Sequence, residues 1–391
     1  MKDRERIYVA EADKPMKEAA AKSLEKGPRT GAMRCLIAGG GTGGHLFPGI
    51  AVAMELKRRF DADVLFVTGS RRLESDVLLR RGFRAKSIRV EGIKGRGWRK
   101  SLPALMKLPL GMLQSAWIIR SFAPKAVLGV GGYSAGPVCL AAVIMGIPTA
   151  IHEQNAYPGF TNRALAGRVD RAFISFEASR PHLKARSVVL TGNPVREEFF
   201  AMDDKGLRPE GGFGLLVVGG SQGSRAINRV IVDALSIMKG EGLCPRVTHQ
   251  TGREDYLKVK EDYKEKGLDG DVIPFIEDMA GAYARADLVV SRAGATTIFE
   301  LAAAGKPSIL IPYPHATNRH QEINARYLEQ GGAAEMALEK DLSGERLADM
   351  LARYMKNPSE IRQMGNRAGR LARPDAAAVI AGKLLEMAGG A

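Results

Sequence analysis

Three glycine-rich segments follow short apolar runs, at points where a strand would give way to a helix. They occupy residues 40–45, 131–137 and 219–223, and the first ends in His45. Glycine lets backbone N–H groups approach an anionic ligand closely, so each segment predicts a phosphate cradle. A dinucleotide-binding dehydrogenase is the weaker interpretation, because the strand predicted at 64–68 ends without the acidic residue that would hold an adenosine ribose.

A fourth loop, at residues 291–296, opens a predicted helix with a small apolar face. The first N–H groups of a helix have no partner within it, so this start predicts an anion site. Glu300 lies about one turn further in, where a carboxylate can accept hydrogen bonds from two adjacent hydroxyls, as on a ribose. The alternative is an ordinary strand–helix unit with a surface glutamate.

A polar cluster of His152, Glu153, Gln154 and Asn155 follows a strand predicted at 148–151. Open α/β sheets bind their ligands at the carboxyl ends of parallel strands. Two titratable groups and an amide at such a place form a candidate acid–base cluster. The same residues would also fit a polar turn with no chemistry.

Metal and disulfide chemistry is not expected. Two Asp-x-Asp pairs, at 61–63 and 269–271, fit polar turns that lead into strands, and the three cysteines are unpaired in number and far apart. This cysteine pattern is typical of a reducing cytoplasm. We therefore expect neither a metal site nor a bound cofactor.

The length of 391 residues and the recurrence of a glycine loop after 180 residues predict two similar α/β halves that face each other across a cleft. Residues 203–212 read as a Gly/Pro-containing linker that would let the halves close. We place the first domain at 33–196, completed by a C-terminal helix at 374–391, and the second at 197–373. Residues 1–32 are predicted to be a disordered extension without the apolar core of a signal peptide.

Charge is concentrated in one stretch. Residues 80–125 contain twelve Lys or Arg and one acidic residue, which accounts for +11 of the net +15. No run of about 18 apolar residues could span a bilayer. Basic residues are interleaved with Leu, Met and Trp over 93–122, which predicts docking on an anionic membrane surface. The proposed docking residues are Trp98, Arg99, Lys100, Leu105, Lys107 and Leu108.

Two other interpretations of this stretch remain open. The leucines could belong to the core, with the charges forming a solvated face. A nucleic-acid-binding protein would spread its charge along a groove with base-stacking aromatics, whereas here the charge lies beside Leu and Met.

Seven segments, in order, resemble the GT-B glycosyltransferases and, within them, the MurG-type N-acetylglucosaminyl transferases of peptidoglycan synthesis. The resemblance extends from about residue 34 to the end. The segments are GGGTGGHLFPGIAVA (39–53), GVGGYSAGP (129–137), IHEQN (151–155), TGNPVR (191–196), VVGGSQGSRAIN (217–228), FIEDMAGAYARADLVVSRAGATTIFELAAAGKP (275–307) and HATNRHQEINA (315–325).

The resemblance implies two Rossmann-like domains, the first for the acceptor and the membrane and the second for the donor. The implied enzyme moves N-acetylglucosamine (GlcNAc) from UDP-GlcNAc to the C4 hydroxyl of the undecaprenyl-pyrophosphate-linked muramyl peptide, lipid I. The reaction inverts the anomeric carbon and gives lipid II at the cytoplasmic face of the cell membrane. Other cell-wall synthesis proteins are possible partners. Alternatives within the fold are a diacylglycerol glycosyltransferase and a UDP-GlcNAc 2-epimerase.

The resemblance also implies roles for particular residues. The backbone at Ile276 would read the uracil, residues 294–299 would hold the diphosphate, and Glu300 the ribose. Either His45 or Glu153 could act as the general base. The family's glutamine pair appears as His320-Gln321 behind one extra residue at Asn318, so Gln321 carries more weight. The implied donor contacts are Thr42, Gly43, Gly44, Asn155, Arg196, Ser221, Ile276, Gly294, Ala295, Thr296, Thr297, Ile298, Phe299, Glu300, His320 and Gln321.

Overall fold

The computed structural model describes residues 33–41, 43–69, 72–90, 108–201 and 212–389. The described chain forms two compact units. The first unit contains the residues up to Gln154, Pro158–Pro194 and the residues from Asp375 onward. The second unit contains Asn155–Tyr157 and Val195–Pro374, so the chain changes unit at each of these boundaries.

The first unit is built on a parallel sheet of seven described strands in the order β3-β2-β1-β4-β5-β6-β7. Helices cover both faces, as a parallel sheet requires. The strands are β1 (Arg34–Gly39), β2 (Asp63–Thr68), β3 (Arg84–Ser87), β4 (Ala126–Gly131), β5 (Thr149–Glu153), β6 (Arg171–Ile174) and β7 (Val188–Leu190). The helices are α1 (Gly43–Phe60), α2 (Arg72–Arg80), α3 (Leu108–Phe122), α4 (Ala135–Ile144) and α5 (Phe160–Ala166), followed by 3₁₀ turns at Glu177–His182 and Glu197–Phe199.

Alternate residues of β1 enter two separate cores. Cys35 and Ile37 face a cluster that includes Ile50 of α1 and Leu384 of the C-terminal helix. Leu36 and Ala38 face the opposite cluster with residues of α3 and α4. Because successive strand side chains point to opposite faces, one short apolar strand anchors both helical layers. The C-terminal helix packs directly against α1.

The second unit has a parallel sheet of six described strands in the order β10-β9-β8-β11-β12-β13. The strands are β8 (Gly214–Val218), β9 (Arg246–Gln250), β10 (Asp271–Ile273), β11 (Leu288–Ser291), β12 (Ser308–Leu310) and β13 (Ala334–Met336). The helices are α6 (Arg225–Gly240), α7 (Tyr256–Glu265), α8 (Met279–Ala284), α9 (Ala295–Ala303), α10 (His320–Gln330), α11 (Gly344–Lys356) and α12 (Pro358–Arg370), with the C-terminal helix, α13 (Ala376–Gly389), returning to the first unit.

Two predicted boundaries were wrong in ways that affect the site. The sequence after the first glycine-rich segment predicts a helix over 49–60, whereas the helix begins at Gly43 and contains Pro48. Gly43 and Gly44 therefore lie in the first helical turn. The strand expected to end at residue 151 continues through Glu153, so His152 and Glu153 are strand residues. Both are buried, which their polarity alone did not indicate.

Several expectations fall outside the described residues. The extension at 1–32 lies there, as do Thr42 and, apart from Gly212, the proposed linker. The same holds for Trp98, Arg99, Lys100, Leu105 and Lys107, whereas Leu108 is the first residue of α3. Among the helices that are described, none is both long and apolar enough to cross a bilayer. Within the same residues, no group of three metal-ligating side chains comes together.

Candidate functional site

In the first unit, the loops that follow β1 and β4 pack against each other without intervening side chains. Gly132 has a φ of 83°, and a Cβ there would overlap the carbonyl oxygen of Gly40. A Cβ on Gly131 would lie 2.8 Å from Nδ1 of His45. Glycine at 131 and 132 therefore lets the His45 imidazole lie directly against the loop after β4.

His45 is half-buried in the first turn of α1, and its Nδ1 lies 3.1 Å from Oε1 of Gln154. Gln154 directly follows β5 and is buried. Its Nε2 donates to the carbonyl oxygen of Val130 at 2.8 Å and lies 3.1 Å from Nδ1 of His152. Gln154 therefore links the two histidines. The sequence analysis placed it in the candidate acid–base cluster but assigned it no role.

His152 is the buried end of this hydrogen-bonded chain. Its Nε2 lies 3.4 Å from the carbonyl oxygen of Gly192 and 3.3 Å from Oγ of Ser175. Burial lowers the pKa of His152 from 6.5 to about 4, against the raising effect of the Gly192 carbonyl. His152 is consequently neutral at physiological pH.

Glu153 points into a turn of its own unit. Its Oε2 accepts hydrogen bonds from the backbone N–H of Gly159 at 2.9 Å and from Nδ2 of Asn162 at 2.8 Å. The same Asn162 amide donates to the carbonyl oxygen of His152 at 3.1 Å. Through these contacts Glu153 stabilises the segment that leads into α5.

In the second unit, the loops after the adjacent strands β8 and β11 meet at Arg292. Its Nη2 donates to Oγ of Ser224 at 2.7 Å, and its Nη1 donates to the carbonyl oxygens of Ile311 and Pro312 at 3.2 Å. Ser224 in turn caps α6 by accepting from the N–H of Ile227. Arg292 thereby connects the start of α6 to the loop that opens α9.

The N-terminus of α9 has the character expected of an anion site. Gly294 is its N-cap and provides no side-chain cap, so the first N–H groups of the helix receive no capping bond from that residue. The aligned peptide dipoles place partial positive charge at this end. Ala295, Thr296, Thr297, Ile298 and Phe299 form the first turn and a half.

Glu300 and Arg196, both predicted donor contacts, lie together in the second unit. Glu300 is buried on α9, and its Oε1 is 3.8 Å from Nη2 of Arg196. Nη1 of Arg196 also pairs with Oε1 of Glu198 at 2.7 Å. Burial raises the pKa of Glu300 from 4.5 to about 7, although the nearby Arg196 acts to lower it.

Asn324 is a site residue that the sequence analysis missed. It is fully buried on α10, its Oδ1 accepts from the N–H of Ala156 at 2.9 Å, and its Nδ2 donates to the carbonyl oxygen of Ala293 at 3.2 Å. Nδ2 also lies 3.4 Å from Oδ1 of Asn155. The available signal was its position three residues after Gln321, on the same side of a helix.

The remaining predicted donor contacts are spread over the second unit. Oε1 of Gln321 accepts from the backbone N–H of Tyr313 at 2.9 Å, whereas Nδ1 of the half-buried His320 donates to the carbonyl oxygen of Thr317 at 2.7 Å. Asn318, the extra residue in this motif, has a φ of 53°. Ile276 is buried and Ser221 is exposed.

Family models match both units. The glycosyltransferase family 28 N-terminal domain matches residues 35–174, and the glycosyltransferase family 28 C-terminal domain matches residues 214–380. Together the two matches cover the glycine-rich segments at residues 40–45, 131–137 and 219–223, and also α9, which carries Glu300.

Curated relatives match nearly the whole chain. A UDP-N-acetylglucosamine--N-acetylmuramyl-(pentapeptide) pyrophosphoryl-undecaprenol N-acetylglucosamine transferase of Syntrophus aciditrophicus is 48% identical over 91% of this chain and 99% of its own length. One of the same name from Myxococcus xanthus is 46% identical over 89% of this chain and 91% of its own.

Solved structures show the same architecture. The crystal structure of Acinetobacter baumannii MurG has a TM-score of 0.74 and 30% identity over 90% of this chain and 99% of its own. A UDP-GlcNAc 2-epimerase from Neisseria meningitidis has a TM-score of 0.67 at 14% identity, over 90% of this chain and all of its own, and that likeness extends to the fold alone. With identity near one half across almost all of both sequences, this chain belongs to the UDP-N-acetylglucosamine--N-acetylmuramyl-(pentapeptide) pyrophosphoryl-undecaprenol N-acetylglucosamine transferases of glycosyltransferase family 28.

Proposed function

We propose that this chain transfers GlcNAc from UDP-GlcNAc to the C4 hydroxyl of the N-acetylmuramyl peptide carried on undecaprenyl pyrophosphate. The product is the complete disaccharide-peptide lipid of peptidoglycan synthesis. The observation that supports this most is Glu300, a buried carboxylate paired with Arg196 one turn into a helix whose N-terminus opens from a glycine loop. That arrangement suits a ribose beside a diphosphate.

The donor half of the proposal rests on the second unit. The N–H groups at the start of α9, with the exposed Ser221 loop, bind the diphosphate, and Glu300 accepts hydrogen bonds from the ribose hydroxyls. The backbone at Ile276 reads the uracil. Asn155, Arg196, His320 and Gln321 complete the donor contacts, and Asn324 holds Asn155 in place.

The acceptor half rests on the first unit, where we assign His45 as the general base. The C4 hydroxyl oxygen attacks the anomeric carbon while His45 takes the hydroxyl proton, and the bond from that carbon to the diphosphate oxygen breaks. Direct displacement inverts the anomeric centre. The negative charge that develops on the departing UDP is stabilised by the N-terminus of α9.

Glu153 is the less favoured base, because its carboxylate is buried and already accepts bonds from Gly159 and Asn162. Half-buried His45 lies in the first turn of α1 with Gly43 and Gly44. We assign these two glycines, together with Thr42, to the residues that the donor contacts. These roles follow the family pattern and the geometry of each unit taken separately.

We further propose that the enzyme works as a peripheral protein on an anionic membrane surface, where its lipid acceptor resides. The described part of the predicted docking segment supports this. Leu113 and Trp117 are 70% and 66% exposed on one side of α3, and Nζ of Lys86 lies 4.7 Å from the centre of the Trp117 ring. A tryptophan beside a lysine on an exposed apolar helix face suits the boundary between headgroups and acyl chains.

The test is a transfer assay with radiolabelled UDP-GlcNAc and a water-soluble, short-chain analogue of the lipid acceptor, with the product identified by mass spectrometry. The proposal expects a disaccharide product that requires both substrates, and no transfer from ADP-GlcNAc. Formation of the 2-epimer without acceptor would instead assign the chain to epimerisation. Label in a diacylglycerol offered in place of the muramyl acceptor would indicate a lipid glycosyltransferase.

A further inference from the structure

We propose that Gln154 is a positioning residue that keeps the neutral His45 imidazole protonated on Nδ1, so that Nε2 carries the lone pair available to the acceptor hydroxyl. The inference deepens the proposed function and rests on the assignment of His45 as base. It depends on the order of donors and acceptors around one buried amide.

The orientation of the Gln154 amide is determined by Val130. The side-chain nitrogen of Gln154 lies 2.8 Å from the Val130 carbonyl oxygen, which can only accept a hydrogen bond. A flipped amide would place two oxygens against each other at that distance. The nitrogen must therefore face Val130, and the amide oxygen must face Nδ1 of His45 at 3.1 Å.

His152 confirms this assignment from the other side. The second N–H of the Gln154 amide points to Nδ1 of His152 at 3.1 Å, which requires that nitrogen to accept. His152 can accept there because burial keeps it neutral, and its Nε2–H can then donate to the Gly192 carbonyl or to Ser175. Every polar atom of the Gln154 side chain thus has a single consistent role.

The consequence concerns the His45 tautomer. An amide oxygen only accepts, so Nδ1 of His45 must carry the proton, and the lone pair of the neutral ring lies on Nε2. The backbone at Gly131 lies against the ring near Nδ1, where a Cβ would come within 2.8 Å. Once Nε2 takes the proton of the acceptor hydroxyl, the Nδ1–H bond to Gln154 remains in place, so no rearrangement accompanies the step.

The experiment records two-bond ¹H–¹⁵N spectra of the full chain labelled with ¹⁵N-histidine, which contains six histidines. His45→Gln identifies the His45 signals. We expect His45 in the Nδ1–H form in the unaltered protein. In Gln154→Met, which keeps the volume but removes the acceptor, the Nδ1–H to Nε2–H ratio should fall by about tenfold, since one hydrogen bond is lost.

The kinetic readout is kcat, which should fall by about tenfold or more in Gln154→Met, while KM for UDP-GlcNAc stays unchanged. Gln250→Met is the matched control. Gln250 is another buried glutamine, the last residue of β9, and its Nε2 donates to the Pro274 carbonyl oxygen in the second unit. That substitution should leave the His45 signals as they are. If Gln154→Met does not fold, Gln154→Leu removes the same acceptor and should give the same fall in the Nδ1–H to Nε2–H ratio.

The inference is overturned if His45 is protonated on Nε2 in the unaltered protein, or if folded Gln154→Met keeps both the native His45 spectrum and the native kcat. Retention of the native His45 spectrum and the native kcat in folded Gln154→Leu would also contradict it. Failure of the proposed function is distinguishable, because it would appear as absence of transfer by the unaltered protein. The tautomer measurement does not depend on activity.

Discussion

Oε1 of Glu300 lies 3.8 Å from Nη2 of Arg196, yet the carboxyl has a pKa of about 7. Burial therefore outweighs the attraction of the guanidinium. When it is ionised, a carboxylate buried in this way destabilises the folded state. It can also accept hydrogen bonds from ligand hydroxyl groups that reach it. Stability and donor binding should consequently respond in opposite directions when its charge is removed.

We expect Glu300→Gln to weaken the binding of UDP by about ten- to a hundredfold, because charged hydrogen bonds to the ribose hydroxyls are worth about 1.5–3 kcal/mol. Isothermal titration calorimetry with UDP measures this. Asp278→Asn is a matched control, since that carboxylate caps α8 by accepting from Gly281. Equal UDP affinity in Glu300→Gln and the unaltered protein would remove Glu300 from the donor site.

The same substitution should stabilise the protein without ligand at pH 8. The pKa of Glu300 is raised in the folded state to about 7. The folded state therefore loses stability as pH rises from about 4.5 to about 7, and the loss is complete above that. At pH 8 the cost is up to about 3 kcal/mol. Urea denaturation at pH 5 and pH 8 should show a gain for Glu300→Gln that is larger at pH 8. A gain of equal size at both pH values would contradict the raised pKa.

His45→Ala should lower kcat by about 10²–10⁴-fold, with a smaller effect on the thermal unfolding midpoint because the side chain is only half-buried. Glu153→Gln should instead lower the thermal unfolding midpoint and leave kcat nearly unchanged. It removes a charged acceptor from Gly159 and Asn162, so the unfolding midpoint should fall. If His45→Ala keeps full turnover while folded Glu153→Gln is inactive, the two roles must be exchanged.

Asn324→Leu should destabilise the second unit by about 1–3 kcal/mol, because it leaves the buried N–H of Ala156 without its acceptor. Compared with the unaltered protein, the affinity for UDP-GlcNAc should fall more than the affinity for UDP, since Asn155 loses its contact with Nδ2 of Asn324. Denaturation and calorimetry with both ligands test this. Asn366→Leu, at an exposed asparagine on α12, is the surface control. Unchanged stability in Asn324→Leu would show that water replaces the amide.

Leu113→Glu combined with Trp117→Glu should abolish binding to anionic vesicles while transfer to a short-chain acceptor continues. Both side chains are exposed on α3, and a carboxylate opposes both burial in the acyl boundary and attraction to anionic lipid. Leu257→Glu, an exposed leucine on α7, is the control. Co-sedimentation at low salt measures binding. Replacement of Arg96, Arg99, Lys100 and Lys107 by Glu extends the test to residues outside the described part. Vesicle binding that persists in both sets would exclude this segment as the docking face.

The family, the two α/β units and many of the strands could be predicted from the amino-acid sequence. The apolar runs at residues 34–39, 188–190, 214–218 and 288–291 predict strands, and the structure forms strands over the same residues. These are short apolar runs bounded by turn residues, and such local patterns carry their own signal. The family prediction was confirmed for the same reason, because its motifs are contiguous segments of chain.

Which polar groups come into contact depends on how distant parts of the chain fold together. Gln154 contacts His45 across 109 residues, and Asn324 contacts Ala156 across 168. No local pattern records such pairs, so Asn324 was not identified, and Gln154 was placed in the candidate acid–base cluster without its partner His45. Burial was likewise decided by packing. The Glu153 carboxylate accepts a hydrogen bond from Asn162 in a buried turn. The pKa of Glu300 is raised because the surrounding side chains exclude water. The sequence shows only that both residues are acidic.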